Sequence, residues 1–181
     1  MSYCESVNAL PNDTDNPNKR YHDDAYGFPI EDDNELFGRL LLEINQAGLN
    51  WTMILNKQAA FRSAYANFDI ATVAAFSEAD RARLLADAGI VRNRLKINAA
   101  IENAREILIL QQQYGSFKNW LDKHHPMTLA QWVKLFKRHF RFVGGEIVNE
   151  FLMSTGYLAG AHTADCPIYA KVLACRPKWA E

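Results

Sequence analysis

The sequence predicts an all-helical protein, folded as one domain over residues 1–181. Three observations carry this. Apolar residues recur at intervals of three and four along most of the chain, the mark of helices with a buried face. No run alternates apolar and polar residues over the length of a strand. Helix caps also punctuate the segments, as where Ser77 is followed three residues on by Asp80 in a capping-box pattern. A chain of 181 residues is long enough to bury a substantial core.

The first nineteen residues are rich in Asn, Asp and Pro and read as irregular, although they contain Cys4. Residues 21–35, aromatic and acidic and broken by Gly27 and Pro29, read as a loop. Asp32 or Asp33 can cap the next helix, with Glu35 adding negative charge to its first turn. That helix is expected to run from Leu36 to Leu55. Leu36, Phe37, Leu40, Leu41, Ile44, Ala47, Trp51, Ile54 and Leu55 form one apolar face, and Leu42 and Leu49 make the far side apolar too. Such a helix belongs inside a domain.

A short helix follows over Gln58 to Phe68. Asp69 caps residues 70–76, and the helix opened by Ser77 is expected to stop at Gly89. After Ile90 and Val91 the pattern restarts, with Ile97, Ala100, Ile101, Ala104, Ile107 and Leu108 as the apolar face of a long helix reaching about Tyr114. Further helices are expected over 117–123, 129–140 and 146–155. Beyond Gly156 the chain is punctuated by Pro and Gly and reads as irregular.

Composition narrows the partners. With 23% charged residues and a net charge of −1, no global basic field advertises nucleic acid, though a local basic face would suffice. No apolar run approaches a membrane span, and the N-terminus is polar where a signal peptide is apolar. A soluble, cytoplasmic protein without membrane partners is expected. Three widely separated cysteines make no disulfide framework.

Four features carry possible chemistry. Glu43 lies between the two apolar faces of the central helix. Either it points to solvent with Asn45, Gln46 and Asn50, or it lines a pocket with Trp51 for a flat cationic ligand; burial without an answering charge would be costly. The helical hairpin around residues 78–114 turns at Gly89 and Val91, and Arg92, Arg94 and Lys96 follow where a phosphate would meet a helix N-terminus. An ordinary hairpin with a solvated basic edge fits equally. His162 and Cys166, in H-x3-C spacing, match Cys4 and His22 at the other end of the chain as a tetrahedral Zn²⁺ donor set, unless each is an isolated residue. Lys134, Lys137, Arg138, His139 and Arg141 form a basic cluster, as a solvated face or a phosphate contact.

The motifs YHD at 21–23, LE…QAGLNW at 42–51, DAGIVRNRLKI at 87–97, FVGGEI at 142–147 and GAHTADC at 160–166 occur in this order. Together they resemble the 3-methyladenine DNA glycosylase I family over essentially the whole chain. The resemblance implies a helix-hairpin-helix glycosylase fold that excises 3-methyladenine from double-stranded alkylated DNA as a monomer. Free 3-methyladenine is then the product, and a structural zinc joins the two termini. It assigns the zinc ligands to Cys4, His22, His162 and Cys166, base recognition to Glu43, stacking to Trp51, and the pocket wall to Tyr21 and Tyr26. Where the family carries Glu-Trp-Gly after the His-Asp pair, this chain has Ala25, Tyr26 and Gly27, a phenol in place of an indole. Glu5 and Ser6 stand where many members have Gly-Trp.

Two other classes of function remain to be weighed. One is a helix-hairpin-helix module that grips DNA without catalysis, which a solvent-facing Glu43 would favour. The other is a zinc-stabilised interaction domain that binds no nucleic acid.

Overall fold

The computed structural model describes residues 2–11 and 15–181. Met1 and residues 12–14, part of the segment expected to be irregular, lie outside the described residues. In chain order the α-helices are α1 (Tyr3–Asn8), α2 (Pro17–Asp24), α3 (Asp33–Gln46), α4 (Trp51–Asn56), α5 (Gln58–Ala64), α6 (Ile70–Ala74), α7 (Glu78–Ala86), α8 (Arg94–Tyr114), α9 (Phe117–His124), α10 (Leu129–His139), α11 (Gly145–Ser154) and α12 (Tyr169–Ala174). Two 3-10 turns complete them, at Ala66–Phe68 and Lys178–Ala180. No strand occurs among the described residues.

The all-helical expectation holds, and the differences have local causes. Ser2 and Glu5 form a reciprocal capping box that starts α1 inside the segment expected to be irregular. Asn16 caps α2 with Pro17 at its first position, so Tyr21 to Asp24 are a helical turn and not a loop. Asp32 caps α3 by accepting from the Glu35 amide. Asp33 serves a distant helix start instead, accepting from the amides of Phe117 and Lys118.

The expected Leu36–Leu55 helix is two helices. Ala47 leaves helical geometry, Gly48 takes φ +78°, and the Asn50 side chain accepts from the Met53 amide to start α4. A positive φ is easy for glycine. Apolar periodicity continues across the break, which is why periodicity alone hides it. Leu49 is consequently exposed at 36% instead of packed.

Likewise α7 ends at Ala86, three residues before Gly89, because the Asp87 side chain accepts from the Gly89 amide at 2.8 Å. The capping box of Ser77 and Asp80 forms as expected. Past Gly156, α12 and a 3-10 turn replace the expected irregular chain, and the Tyr169 and Trp179 rings pack 6.1 Å apart.

The core gathers around α3 and α8. Leu36, Phe37, Leu40, Leu41, Leu42 and Ile44 of α3 are buried on both sides, as its two apolar faces require. Ile97, Ile101, Ala104, Ile107 and Leu110 of α8 pack with α6, α7 and α9. Trp120, Trp132, Phe136 and Phe151 fill the space under α9, α10 and α11. Each such side chain contributes about 1.5–3 kcal/mol by leaving water. The packing holds α3 rigidly beside α11 and α4, which sets up the cleft.

Candidate active site and metal centre

A cleft of about 550 Å³ opens between α2, α3, the break before α4 and the start of α11, within the size range of small-molecule sites. Its walls are aromatic. Tyr21 and Trp51 meet edge to face at 5.1 Å between centroids, and Tyr3 meets Tyr26 at 5.1 Å. Trp51 owes its place to the break in the central helix, because it is the first residue of α4. Tyr21 and His22 are neighbours on α2. Their directions differ by about 100° around the helix, so one ring faces the cleft and the other the cysteines.

Glu43 lines this cleft and is only 5% exposed. Among the described residues it has no ion-pair or hydrogen-bond partner. Burial pushes its carboxyl up to about 8; Arg39 opposes the shift and Glu150 adds to it. Arg39 stands behind the wall, its guanidinium 5.0 Å from the Tyr21 ring centre and one N–H donated to the Ser154 carbonyl at 3.1 Å. The Tyr21 hydroxyl is buried and, among the described residues, makes no hydrogen bond of normal geometry. Burial also raises the phenols of Tyr3, Tyr21 and Tyr26, which keeps all three protonated.

The structure thus brings Glu43, Tyr21, Trp51 and Tyr26 together at one cavity. Tyr3, Gln46, Glu146 and Glu150 line it too, and sequence reasoning passed over them. For Tyr3 the signal was its place next to Cys4 in a capped turn. For Glu150 it was the four-residue step from Glu146.

Cys4, His22, His162 and Cys166 form one buried cluster whose candidate ligand atoms all lie within 4.8 Å of one another. Cys166 Sγ is 3.6 Å from His162 Nδ1 and 3.8 Å from His22 Nε2. Tetrahedral Zn²⁺ with Zn–S of about 2.3 Å and Zn–N of about 2.0 Å has ligand edges of about 3.3–3.8 Å, so the two S–N separations match such an ion and the chemistry of the donor set suits it. The outer nitrogens are engaged as metal-binding imidazoles require: His22 Nδ1 with Asp23 Oδ1 at 2.7 Å, and His162 Nε2 with the Tyr26 carbonyl at 2.7 Å. Burial pushes His162 down, which keeps its ring neutral. At Gly27, φ is +83° and an added Cβ would lie 2.8 Å from Ala161 Cβ, so the chain passes the cluster only as glycine.

The segment between α7 and α8 is braced from α4 by Lys57, whose ammonium donates to the carbonyls of Ala88 and Gly89. Gly89 and Val91 are half-buried there. Arg92 and Arg94 are exposed and, among the described residues, pair with no carboxylate. Lys96 differs from expectation. It is 4% exposed, and its ammonium donates to the carbonyls of Asn45 and Ala47 at 2.8 and 2.7 Å. Its charge closes the C-terminal end of α3 instead of lying on the exposed edge with Arg92 and Arg94. The basic residues Lys134, Lys137, Arg138 and Arg141 are solvent-exposed, and His139 pairs with Glu106 at 2.6 Å.

An aromatic cleft with a buried carboxylate thus lies beside a closed thiol–imidazole cluster in an all-helical protein. The chain belongs to the methyladenine glycosylase family, whose sequence profile matches residues 12–134. DNA-3-methyladenine glycosylase 1 of Escherichia coli is 36% identical over 168 residues, covering 82% of this chain and 89% of the relative. DNA-3-methyladenine glycosylase of Haemophilus influenzae is 30% identical over 166 residues, covering 81% and 89%. Among solved structures, a 3-methyladenine DNA glycosylase I variant in complex with 3-methyladenine matches with TM-score 0.82 at 30% identity over 93% of this chain and 97% of its own. The Staphylococcus aureus 3-methyladenine DNA glycosylase I matches with TM-score 0.78 at 30% identity over 86% and 93%.

Proposed function

We propose that this protein is a monofunctional DNA glycosylase that hydrolyses the N-glycosidic bond of 3-methyladenine in alkylated double-stranded DNA. The observation that carries it is Glu43, a buried carboxylate that forms no ion pair among the described residues, in an aromatic cleft large enough for a purine. The family and the relatives' activities support the same reading. A buried Glu43 also speaks against the non-catalytic module, which called for a solvated one.

Taking a base from the stack costs a few kcal/mol, least where damage has weakened pairing. Stacking on Trp51 returns about 1–3 kcal/mol, with Tyr21 and Tyr26 as the other walls. N3-methylation makes the base a cation. The cationic base displaces the proton that burial keeps on Glu43, and the carboxylate then accepts hydrogen bonds from its edge and gains from its charge, which unmodified adenine cannot offer. As the C1′–N9 bond breaks, its electron pair neutralises the base, so the leaving group needs no proton from an acid. Water adds to C1′ and releases a proton to solvent. None of the cleft-lining residues is a lysine, so no Schiff base forms and the strand is not cut.

The DNA backbone meets the segment between α7 and α8, which serves as the helix-hairpin-helix element. Amides around Gly89 and Val91 and the charges of Arg92 and Arg94 hold a phosphate. Cys4, His22, His162 and Cys166 hold a structural Zn²⁺, since four protein ligands leave no open position. It ties α1 and α2 to the 162–166 segment and so keeps Tyr3 and Tyr21 against the cleft. The enzyme acts as a monomer in the cytoplasm, on the chromosome. Among the described residues no helix is long and apolar enough to cross a membrane.

Release of free 3-methyladenine from methylated DNA tests the reading. The unaltered protein is expected to release it and Glu43→Gln to lose about 100-fold or more; equal rates for the two would refute the role of Glu43.

A further inference from the structure

Glu150 is the feature of the cleft that the preceding scheme leaves unused. It lies on α11, one turn beyond Glu146, and helical residues four apart share a face. Both line the cleft from α11, while Glu43 lines it from α3. Glu150 is half-buried, yet among the described residues no lysine, arginine or histidine pairs with it. Among the described residues its one hydrogen bond comes from the Tyr26 hydroxyl, 3.3 Å from Oε2. That is long for an O–H···O contact, which clusters near 2.7–2.8 Å. Tyr26 therefore aims the carboxylate without satisfying it.

The phenol is also where this chain departs from the Glu-Trp-Gly pattern of the family it resembles. The hydroxyl and the carboxylate that receives it stand 124 residues apart in sequence. Charge points the same way. Burial and the neighbouring Glu146 push the Glu150 carboxyl up, and the charge of Glu150 helps raise Glu43. Glu150 thus disfavours a second charge on Glu43 inside one cavity, against the opposing pull of Arg39. Partly buried acids without a counter-charge are costly to keep and cluster where a ligand supplies that charge.

Resting on the glycosylase reading above, we propose that Glu150 is a second specificity-determining carboxylate, positioned by Tyr26, so that the cationic base is read by two anions, one from α3 and one from α11. A neutral purine gains from neither. The alkylated base gains from both while still bonded to its sugar and loses that gain as the glycosidic bond breaks and the base becomes neutral. Selection of substrate and release of product then share one cause.

Two small ligands separate charge from shape. 3,9-Dimethyladeninium is a permanent cation that stands in for the base still attached at N9, and 3-methyladenine at pH 8.5 is the neutral product. Binding of each is measured by Trp51 fluorescence or calorimetry. Glu150→Gln is expected to weaken the cation about tenfold and the neutral ligand less than twofold, and Tyr26→Phe to show a smaller loss in the same sense. A merely structural role would move both ligands together. Equal losses for both ligands, or no loss for the cation, in both variants would overturn the proposal. Should the unaltered protein bind neither ligand, the failure lies with the glycosylase reading itself.

Discussion

The cleft and the cysteine–histidine cluster adjoin, share α2 and the Tyr26 peptide, and treat polar groups in opposite ways. In the cluster the outer ring nitrogens of both imidazoles are engaged, by Asp23 and by the Tyr26 carbonyl. Even the sulfurs are approached by donors: the Asn8 side chain at Cys4 and the Ile168 amide at Cys166, each at 3.4 Å. In the cleft, among the described residues, buried Glu43 forms no ion pair or hydrogen bond and the Tyr21 hydroxyl has no hydrogen-bond partner of normal geometry. Native proteins rarely leave such groups unanswered. The contrast separates two purposes. Where the polar inventory closes, the residues hold the chain in shape; where it stays open in a cavity, a ligand completes it.

The largest expected effect breaks the closed side. Structural zinc in finger peptides is worth about 10–16 kcal/mol. Losing even about 4 kcal/mol would lower the Tm of a chain this size by roughly 8–16 °C. Chelation is expected to release one equivalent of zinc and produce such a fall, with Cys166→Ser behaving alike. Purified protein that holds no metal and melts at the same temperature with or without chelator contradicts the assignment.

On the open side the sign reverses: Glu43 costs stability. Its carboxyl is raised to about 8 from a usual 4.5, so between those pH values the folded state holds a proton that the unfolded state has released. Stability therefore falls as pH rises through that window, by up to about 1.4 kcal/mol per pH unit. Glu43→Gln removes the burden. The variant is expected to match the parent in denaturant melts at pH 4.5 and to exceed it at pH 8.5, while losing excision. A variant less stable at pH 8.5 would mean that the carboxylate is answered in the folded protein after all.

How far the sequence reveals these regions follows from the range of the interactions. Capping is local, so Ser77 with Asp80 was legible, and Ser2 with Glu5 and Asn16 with Pro17 carried the same signal for α1 and α2. The break at Gly48 was written in Gly48 and Asn50, but uninterrupted apolar spacing masked it. The four metal-type residues stood out because thiols and imidazoles are scarce, and the structure does bring them together. Glu150 and Tyr3 left only local hints, the four-residue step from Glu146 and the place beside Cys4, and neither hint points to a cleft. Their place in the cleft depends on how α11 and α1 pack, which no local spacing records. Lys96 misled for a related reason. A lysine after a turn reads as surface charge, and only the fold delivers it to the end of a helix 49 residues away.

That last case carries the comparison to the segment between α7 and α8, where answered and unanswered charges sit two residues apart. Lys96 is answered: it is buried, it donates to two carbonyls, and burial lowers its ammonium. Hydrogen bonds to charged groups contribute about 1.5–3 kcal/mol, so Lys96→Met is expected to cost about 2 kcal/mol of stability. The dependence of DNA binding on salt should stay as it was. Arg94 is exposed and unanswered, and its removal in Arg94→Ala should leave stability within about 0.5 kcal/mol. If it neutralises a phosphate, DNA affinity falls, and the slope of log K against log salt becomes shallower by about one. Binding of free 3-methyladenine, which never reaches the backbone site, should be unchanged. Denaturant melts and DNA titrations at several salt concentrations on the two variants decide the matter. A salt slope that moves with Lys96 and not with Arg94 would reverse the assignment of the two cations.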